Sequence, residues 1–393
     1  VDVEAVSPAT RSFEFATAGR IVFGAGRAAE LDVITAGAGS RALVCTGSWP
    51  QRHQPLIDRL GLPTAVVAVS GEPTIEVARA AAEASRAHGA DLVVAIGGGS
   101  VLDVGKAVAM LLGNGGDPLD YLEIVGRGKP ITRASMPYIA VPTTAGTGAE
   151  VTENAVLASP ADGRKASLRS RFMLPQVALV DPLLTLSCSP TVTASSGLDA
   201  LTQCLEPFVS VRATPLTDGL AREGLRRAAS GLRPAYSDGA DVAARTDMSV
   251  CSLLGGLALA NAKLGAVHGL AAVIGGMSTA AHGAVCAALL AAVIEINVRA
   301  LRAREPVNPA LTRYQEAARV LTGRPDATIE HGIEWVRETV ALLSVPGLSA
   351  VGIRPEQADE IVVKASSASS MKFNPITLTD TELHTILEAS MRP

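Results

Sequence analysis

Aromatic side chains are scarce: Phe, Trp and Tyr make up only 3% of the 393 residues, and no more than 18% are charged. With 34 Lys and Arg against 38 Asp and Glu, and a formal charge of −4, there is no concentrated basic patch, which argues against nucleic acid as a partner. The five cysteines, Cys45, Cys188, Cys204, Cys251 and Cys286, are odd in number and never spaced as CxxC. That pattern indicates neither a disulfide framework nor a zinc knuckle, and it fits a reducing, cytoplasmic location. The start, VDVEAVSPATRSFEF, carries acids where a signal peptide would carry a basic end and an apolar run.

What the chain has in abundance is aliphatic surface: 48% hydrophobic residues and a mean hydropathy of +0.30. Its length predicts about two domains, large enough to bury a core without disulfides or a structural metal. From Gly269 to Ile294 the clearly polar side chains are Ser278, Thr279 and His282, a stretch long enough to span a bilayer. Gly275-Gly276 and a histidine within it favour two buried helices joined by a turn instead, with no membrane as partner.

Two halves differ in pattern. Short runs rich in β-branched residues (20–24, 42–46, 65–69, 91–99, 138–144 and 176–182) alternate with alanine-rich helical segments, predicting βαβ units and a parallel sheet. Beyond Pro190 long segments at 191–206, 214–232, 245–261, 283–303 and 309–322 read as helices. The expectation is an α/β domain over 1–186 and an all-α domain over 187–393, with Pro190 opening a helix.

Four motifs carry possible chemistry. FGAGRAA (23–29) has the G-x-G-x-x-A form of a dinucleotide fingerprint, but no acid follows near 44–50, and Gly24 and Gly26 are equally read as a turn. Strand DLVVAI runs into GGGSVLDVGK (97–106), where three glycines and a helix start suit a pyrophosphate. Ser100 and Asp103 there also have the spacing of a helix cap. PTTAGTGAEVT (142–152) places Thr143, Thr144 and Thr147 at a strand's carboxyl end, suited to ribose or nicotinamide groups. In the helical half Asp199 and Gln203 share a helix face, and His268 and His282 flank the Gly275-Gly276 break. Two such histidines need hydrogen bonds or a metal, and with one carboxylate they would form an open site of the catalytic zinc or non-haem iron type. His53, His88, His331 and His384 lie in polar, helix-surface patterns.

AIGGGSVLDVGKA, AVPTTAGTGAEVT, GRKASL, ALVDP, SGLDALTQCLEPFVS and LGAVHG…AAHG, in this order, closely resemble the iron-containing (group III) alcohol dehydrogenase family, which shares its fold with dehydroquinate synthase. The resemblance runs from RIVFGAG at residue 20 to NPITLTD at 374–380. It implies a Rossmann-like N-terminal domain and a helical C-terminal domain, with NAD or NADP and a divalent metal, Fe2+ or Zn2+, in the cleft between them, in a homodimer. It assigns Gly97, Gly98, Gly99 and Ser100 to the pyrophosphate, with Asp103 beside that loop. Thr143, Thr144, Thr147 and Lys165 fall to the nicotinamide side, and Asp199, His268 and His282 to three of the four metal ligands, the two histidines being catalytic.

Three departures qualify it. Gln203 stands where the family usually has a histidine ligand, leaving an Asp-His-His triad with the amide near it, a weaker set. Ala272, four residues after His268, replaces a histidine that relays protons in some members. Gly47, followed by Ser48, stands where NAD-preferring members present an aspartate, so NADP should be accepted, with Ser48 and Arg52 able to bind its 2′-phosphate. The implied activity is metal-assisted hydride transfer between NAD(P) and a small alcohol, aldehyde, ketone or keto acid. The alternatives are a metal-independent maleylacetate reductase, a dehydroquinate-synthase-like lyase, which would need a basic pocket, and a catalytically silent nucleotide-binding protein.

Overall fold

The computed structural model describes residues 12–278 and 280–392. The acidic start at 1–11 and Thr279 lie outside the described residues. Two compact units form, one from residues 16–144 with 148–187 and the other from 188–392 with 12–15 and 145–147.

The first unit runs β1 (Arg20–Phe23), α1 (Leu31–Thr35), β2 (Ala42–Gly47), α2 (Gln54–Arg59), β3 (Thr64–Val69), α3 (Ile75–His88), β4 (Leu92–Gly97), α4 (Gly99–Asn114), α5 (Pro118–Tyr121), β5 (Tyr138–Pro142), β6 (Asn154–Ser159), β7 (Arg164–Arg169) and β8 (Val177–Val180). All six strands expected from the sequence pair in parallel, in the order β1-β8-β5-β4-β2-β3. β4, β5 and β8 are apolar at every position because helices cover both faces. Along β2 and β4 the pleat sends Leu43, Cys45, Val93 and Ala95 into one core layer and Ala42, Val44, Leu92, Val94 and Ile96 into the other. The chain leaves β2 towards β3 at the edge, then returns past β2 to β4 and β5, which makes the β2/β4 boundary a topological switch point. Ligands of open α/β sheets bind outside the carboxyl ends of strands at such a point.

One element is absent from the strands expected above. β6 and β7 form a separate antiparallel hairpin, closed around Pro160-Ala161-Asp162-Gly163, and bury Ala155, Leu157, Ala166 and Leu168.

The second unit consists of α6 (Pro190–Val209), α7 (Pro215–Ser237), α8 (Val242–Ala262), α9 (Ala266–Met277), α10 (His282–Arg304), α11 (Ala310–Thr322), α12 (Ile329–Leu342), α13 (Ala358–Ser366) and α14 (Asp380–Ser390). Pro190 does open α6, one residue after Ser189, whose hydroxyl accepts the Val192 N–H at 3.2 Å. α8 and α10 are long and apolar enough to cross a membrane, yet 61% and 72% of their apolar windows are buried within the fold. The apolar stretch is two helices, as expected, but α9 runs on to Met277 with Gly275-Gly276 inside it, and α10 starts at His282.

Candidate functional site

Asp199 on α6, His268 on α9, and His282 and Cys286 on α10 converge so that one donor atom from each lies within 4.8 Å of the others. Asp199 Oδ1 and His268 Nε2 face each other at 3.3 Å, but neither makes a hydrogen bond, and Gln203 Oε1 beside them is also buried without a partner. The Gln203 amide instead donates to Asp199 Oδ2 at 2.9 Å. Buried polar atoms without hydrogen bonds are costly unless a ligand satisfies them. A divalent ion would take such O and N donors, so the residues fit the metal that the family resemblance implies.

Local structure explains the placement. α9 opens at Gly265 without a side-chain cap of its own. Its first N–H groups are taken by distant side chains: Ala266 N–H by Asn374 Oδ1 at 3.2 Å and Val267 N–H by Glu206 Oε1 at 2.7 Å. A Cβ at Gly265 would lie 2.9 Å from that Asn374 oxygen and 3.0 Å from that Glu206 oxygen, so only glycine admits both. Glu206 Oε2 then accepts from His268 Nδ1 at 2.7 Å, which turns Nε2 towards Asp199. At the start of α10, a Cβ on Gly283 would sit 2.2 Å from the Ser195 carbonyl oxygen. Glycine there lets the first turn of α10 approach α6 and carries His282 to Asp199.

The charges are coupled. Burial alone would raise the Asp199 carboxyl, but the His268 and His282 imidazoles hold it below its ordinary value. Burial opposes the charged form of His268, yet Cys286, Glu206 and Asp199 push its pKa well up. Cys286 raises His282 as well, and both imidazoles pull the thiol of Cys286 down against its burial. The rings stand 5.4 Å apart between centroids.

At the sheet's switch point, Gly97 ends β4 and Gly98 precedes α4 in an extended conformation. Ser100 does not cap this helix: Gly98 holds the cap position and Ser100 lies inside the first turn. Asp103 does not cap it either, because its Oδ2 accepts the Val156 N–H of β6 at 3.0 Å. Burial pushes the Asp103 carboxyl up to about 6, against the pull of Lys106 and that N–H. A Cβ on Gly97 would meet Val101 at 2.5 Å, so packing already demands glycine there, while one on Gly98 would only crowd Thr144 Oγ1 at 3.3 Å. Thr143 N–H donates to Gly97 O at 3.0 Å, which joins the β4 and β5 loops. Gly47 and Ser48 follow at the neighbouring end of β2, so the structure gathers Gly47, Ser48, Gly97, Gly98, Gly99, Ser100, Thr143 and Thr144 along one sheet edge. Lys165, on β7, pairs with Glu72 at 2.7 Å. Thr147 belongs to the helical unit, where Gly146 packs against Ser196.

The other glycine loop is a turn. The buried Asp181 carboxylate accepts the N–H groups of Gly26 at 3.0 Å and Ala28 at 2.9 Å, filling from within the place a phosphate would take in FGAGRAA. Glu206, Asn374 and Cys286 are not among the residues that the sequence motifs single out. Glu206 follows Asp199 by seven residues and Cys286 follows His282 by four, spacings that share a helix face.

Two family models match the chain: "Iron-containing alcohol dehydrogenase" over residues 18–182 and "Fe-containing alcohol dehydrogenase family, C-terminal" over 193–391. The chain is 42% identical to long-chain-alcohol dehydrogenase 1 of Geobacillus thermodenitrificans over 219 residues, 56% of this chain and 55% of that protein. It is 34% identical to 4-hydroxybutyrate dehydrogenase of Cupriavidus necator over 345 residues, 86% of this chain and 88% of the other. The crystal structure of sulfoacetaldehyde reductase from Bifidobacterium kashiwanohense in complex with NAD+ superimposes with a TM-score of 0.85 at 30% identity, covering 97% of this chain and 99% of that one. The chain therefore belongs to the iron-containing alcohol dehydrogenase family and is an oxidoreductase acting on CH–OH groups.

Proposed function

We propose that Asp199, His268 and His282 hold a divalent ion, Fe2+ or Zn2+, for the interconversion of a small alcohol and its carbonyl compound with NAD or NADP. The observation that carries this reading is the convergence of donor atoms from Asp199, His268 and His282, with Asp199 Oδ1 and His268 Nε2 buried and without a hydrogen-bond partner. When bound, the ion supplies Lewis-acid polarisation of the substrate oxygen, and the nicotinamide supplies or accepts the hydride.

The chain's own residues do the positioning. Glu206 keeps the proton of His268 on Nδ1, so Nε2 can act as a donor atom. Gln203 holds the outer oxygen of Asp199 and leaves Oδ1 facing inward. The start of α4 offers backbone N–H groups and a positive dipole end to a pyrophosphate at Gly97, Gly98, Gly99 and Ser100. Thr143 and Thr144 place hydroxyls on the adjacent strand end for the nicotinamide side, with Thr147 and Lys165 assigned there by the same family resemblance. Asp103 steadies the loop through β6. Ala272 has no atom that can hold a proton, so this side chain cannot relay the hydroxyl proton, and water would have to carry it. Gly47 and Ser48 bring no carboxylate to the end of β2, which favours acceptance of NADP. The same resemblance supports a cytoplasmic homodimer.

Metal analysis of anaerobically purified protein tests the reading, with aldehyde, ketone and maleylacetate reduction by NADH and NADPH followed before and after chelation. Bound iron or zinc, with activity lost on chelation and restored by the metal, is expected. Full activity in the metal-free protein would overturn the metal assignment and favour the maleylacetate reductase type.

A further inference from the structure

The helical site contains one more donor than the Asp-His-His set requires. Cys286 stands one turn after His282 on α10, fully buried, with Sγ 3.6 Å from His282 Nε2. The other buried thiols have different surroundings. Cys45 lies in the sheet core, and Cys204 and Cys251 pair with each other at 3.9 Å between α6 and α8. Cys286 alone among these belongs to the group in which a carboxylate, two imidazoles and a thiol converge. Next to it, two nearly inaccessible atoms, Asp199 Oδ1 and His268 Nε2, have no hydrogen-bond partner. Gln203, at the position of the family's remaining ligand, uses its amide on Asp199 Oδ2.

We propose that Cys286 is a ligand of the metal centre, completing a set of one carboxylate oxygen, two imidazole nitrogens and one thiolate sulfur in place of the missing histidine. The inference rests on the metal reading given above. Binding forms a metal–sulfur bond as the thiol releases its proton to solvent, with no change of oxidation state. A carboxylate and a thiolate together neutralise a divalent ion, which lowers the cost of burying it. Thiolate is also the softer donor, so the centre should favour zinc over iron more strongly than a set with only oxygen and nitrogen.

Cobalt(II) added to the chelator-stripped full-length protein is the probe. Cobalt bound at the site should produce an intense near-ultraviolet thiolate-to-cobalt charge-transfer band in the wild type. C286S should lose the band and bind zinc more weakly by about 100-fold or more, the upper end of what loss of a supporting residue costs a metal site. Should C286S fail to fold, the wild-type spectrum still decides. Stoichiometric cobalt without the band, or a band that survives in folded C286S, would overturn the role of Cys286 while leaving the metal reading intact. A wild type that takes up no cobalt or zinc would overturn both.

Discussion

Glu206 serves His268 twice: Oε2 accepts from its ring Nδ1 at 2.7 Å, and Oε1 accepts the backbone N–H of the preceding Val267 at 2.7 Å. One carboxylate thus fixes both the imidazole and the helix turn that presents it. A Glu206→Gln side chain can offer only one carbonyl oxygen to these two donors, and its amide group would face one of them. Metal affinity should fall about 10–100-fold, read by competition with a chromophoric chelator. His268→Ala should abolish turnover while NADH binding, followed by fluorescence titration, stays within about twofold, since the proposed cofactor residues other than Thr147 lie in the other unit. Turnover that survives this change would sink the metal mechanism.

Gly283 permits the contact between α10 and α6 on which the site depends. An added Cβ would lie 2.2 Å from the Ser195 oxygen and 3.2 Å from the Asp199 Cβ, both on a buried helix with little room to yield. Gly283→Ala is expected to cost about 1–3 kcal/mol, the range for overpacking, and to lower bound metal as His282 and Cys286 shift from Asp199. Gly219, inside α7, is the control, because a Cβ added there would meet nothing within 4 Å. Gly219→Ala should leave the metal unchanged and stabilise by up to about 1 kcal/mol. Thermal melts and metal stoichiometry on the two variants separate a local packing effect from a general intolerance of glycine replacement.

The parallel sheet is legible in the sequence because its inner strands β2, β4, β5 and β8 are continuous apolar runs of the kind that burial on both faces requires. The hairpin β6–β7 carries a signal as well: its buried Ala155, Leu157, Ala166 and Leu168 alternate with less buried residues around an Asp-Gly turn, yet the polar composition of GRKASL hides the strand within it. In the site, Asp199, His268 and His282 are within reach of pattern reasoning, since charged or imidazole side chains in an apolar helical half stand out. Glu206 is charged as well, on the face of Asp199, but has no ligand motif around it, and Cys286, on the face of His282, reads as an ordinary core thiol. What makes them part of the site is the approach of three helices, set by Gly265, Gly283 and Asn374 through contacts as far as 108 residues apart in the chain. The cap expected of Ser100 fails because Gly98 takes the position itself, and the Asp103 carboxylate reaches a hairpin that local spacing does not reveal.

Beside the glycine loop, Lys106 is wholly buried and donates to Ala149 O at 2.8 Å, Thr152 Oγ1 at 3.0 Å and Asn154 O at 2.7 Å. Burial lowers it to about 8 and raises the nearby Glu150 carboxyl to about 7, with Lys106 opposing the latter. A carboxyl whose folded value exceeds its unfolded value contributes stability below the unfolded value, and that contribution is lost as pH rises through the folded one. For Glu150 the window runs from its ordinary 4.5 to about 7, and Lys106 changes its own contribution above that window. The wild type should therefore lose stability relative to Glu150→Gln across this range, by an amount on the order of 3 kcal/mol. Urea unfolding of both proteins at several pH values between about 5 and 8 measures it, and parallel stability curves would contradict the assignment.

Cofactor preference can be tested at Gly47, the last residue of β2, where an added Cβ would meet nothing within 4 Å. Gly47→Asp should thus fit without repacking, and its carboxylate would lie at the strand end where an adenosine ribose is bound in open α/β sheets. There it can accept from the two ribose hydroxyls of NADH but faces the 2′-phosphate of NADPH with like charge. Even a partly screened pair a few ångströms apart is repelled by about 1–4 kcal/mol. The kcat/KM for NADPH should fall about 10-fold or more while that for NADH holds or rises. Arg52→Ala supplies the converse: if Arg52 is the cation that binds the 2′-phosphate, its removal should weaken NADPH alone. Equal losses for both cofactors in Gly47→Asp would mean that the end of β2 does not read the ribose, and the basis for expecting NADP acceptance would be gone.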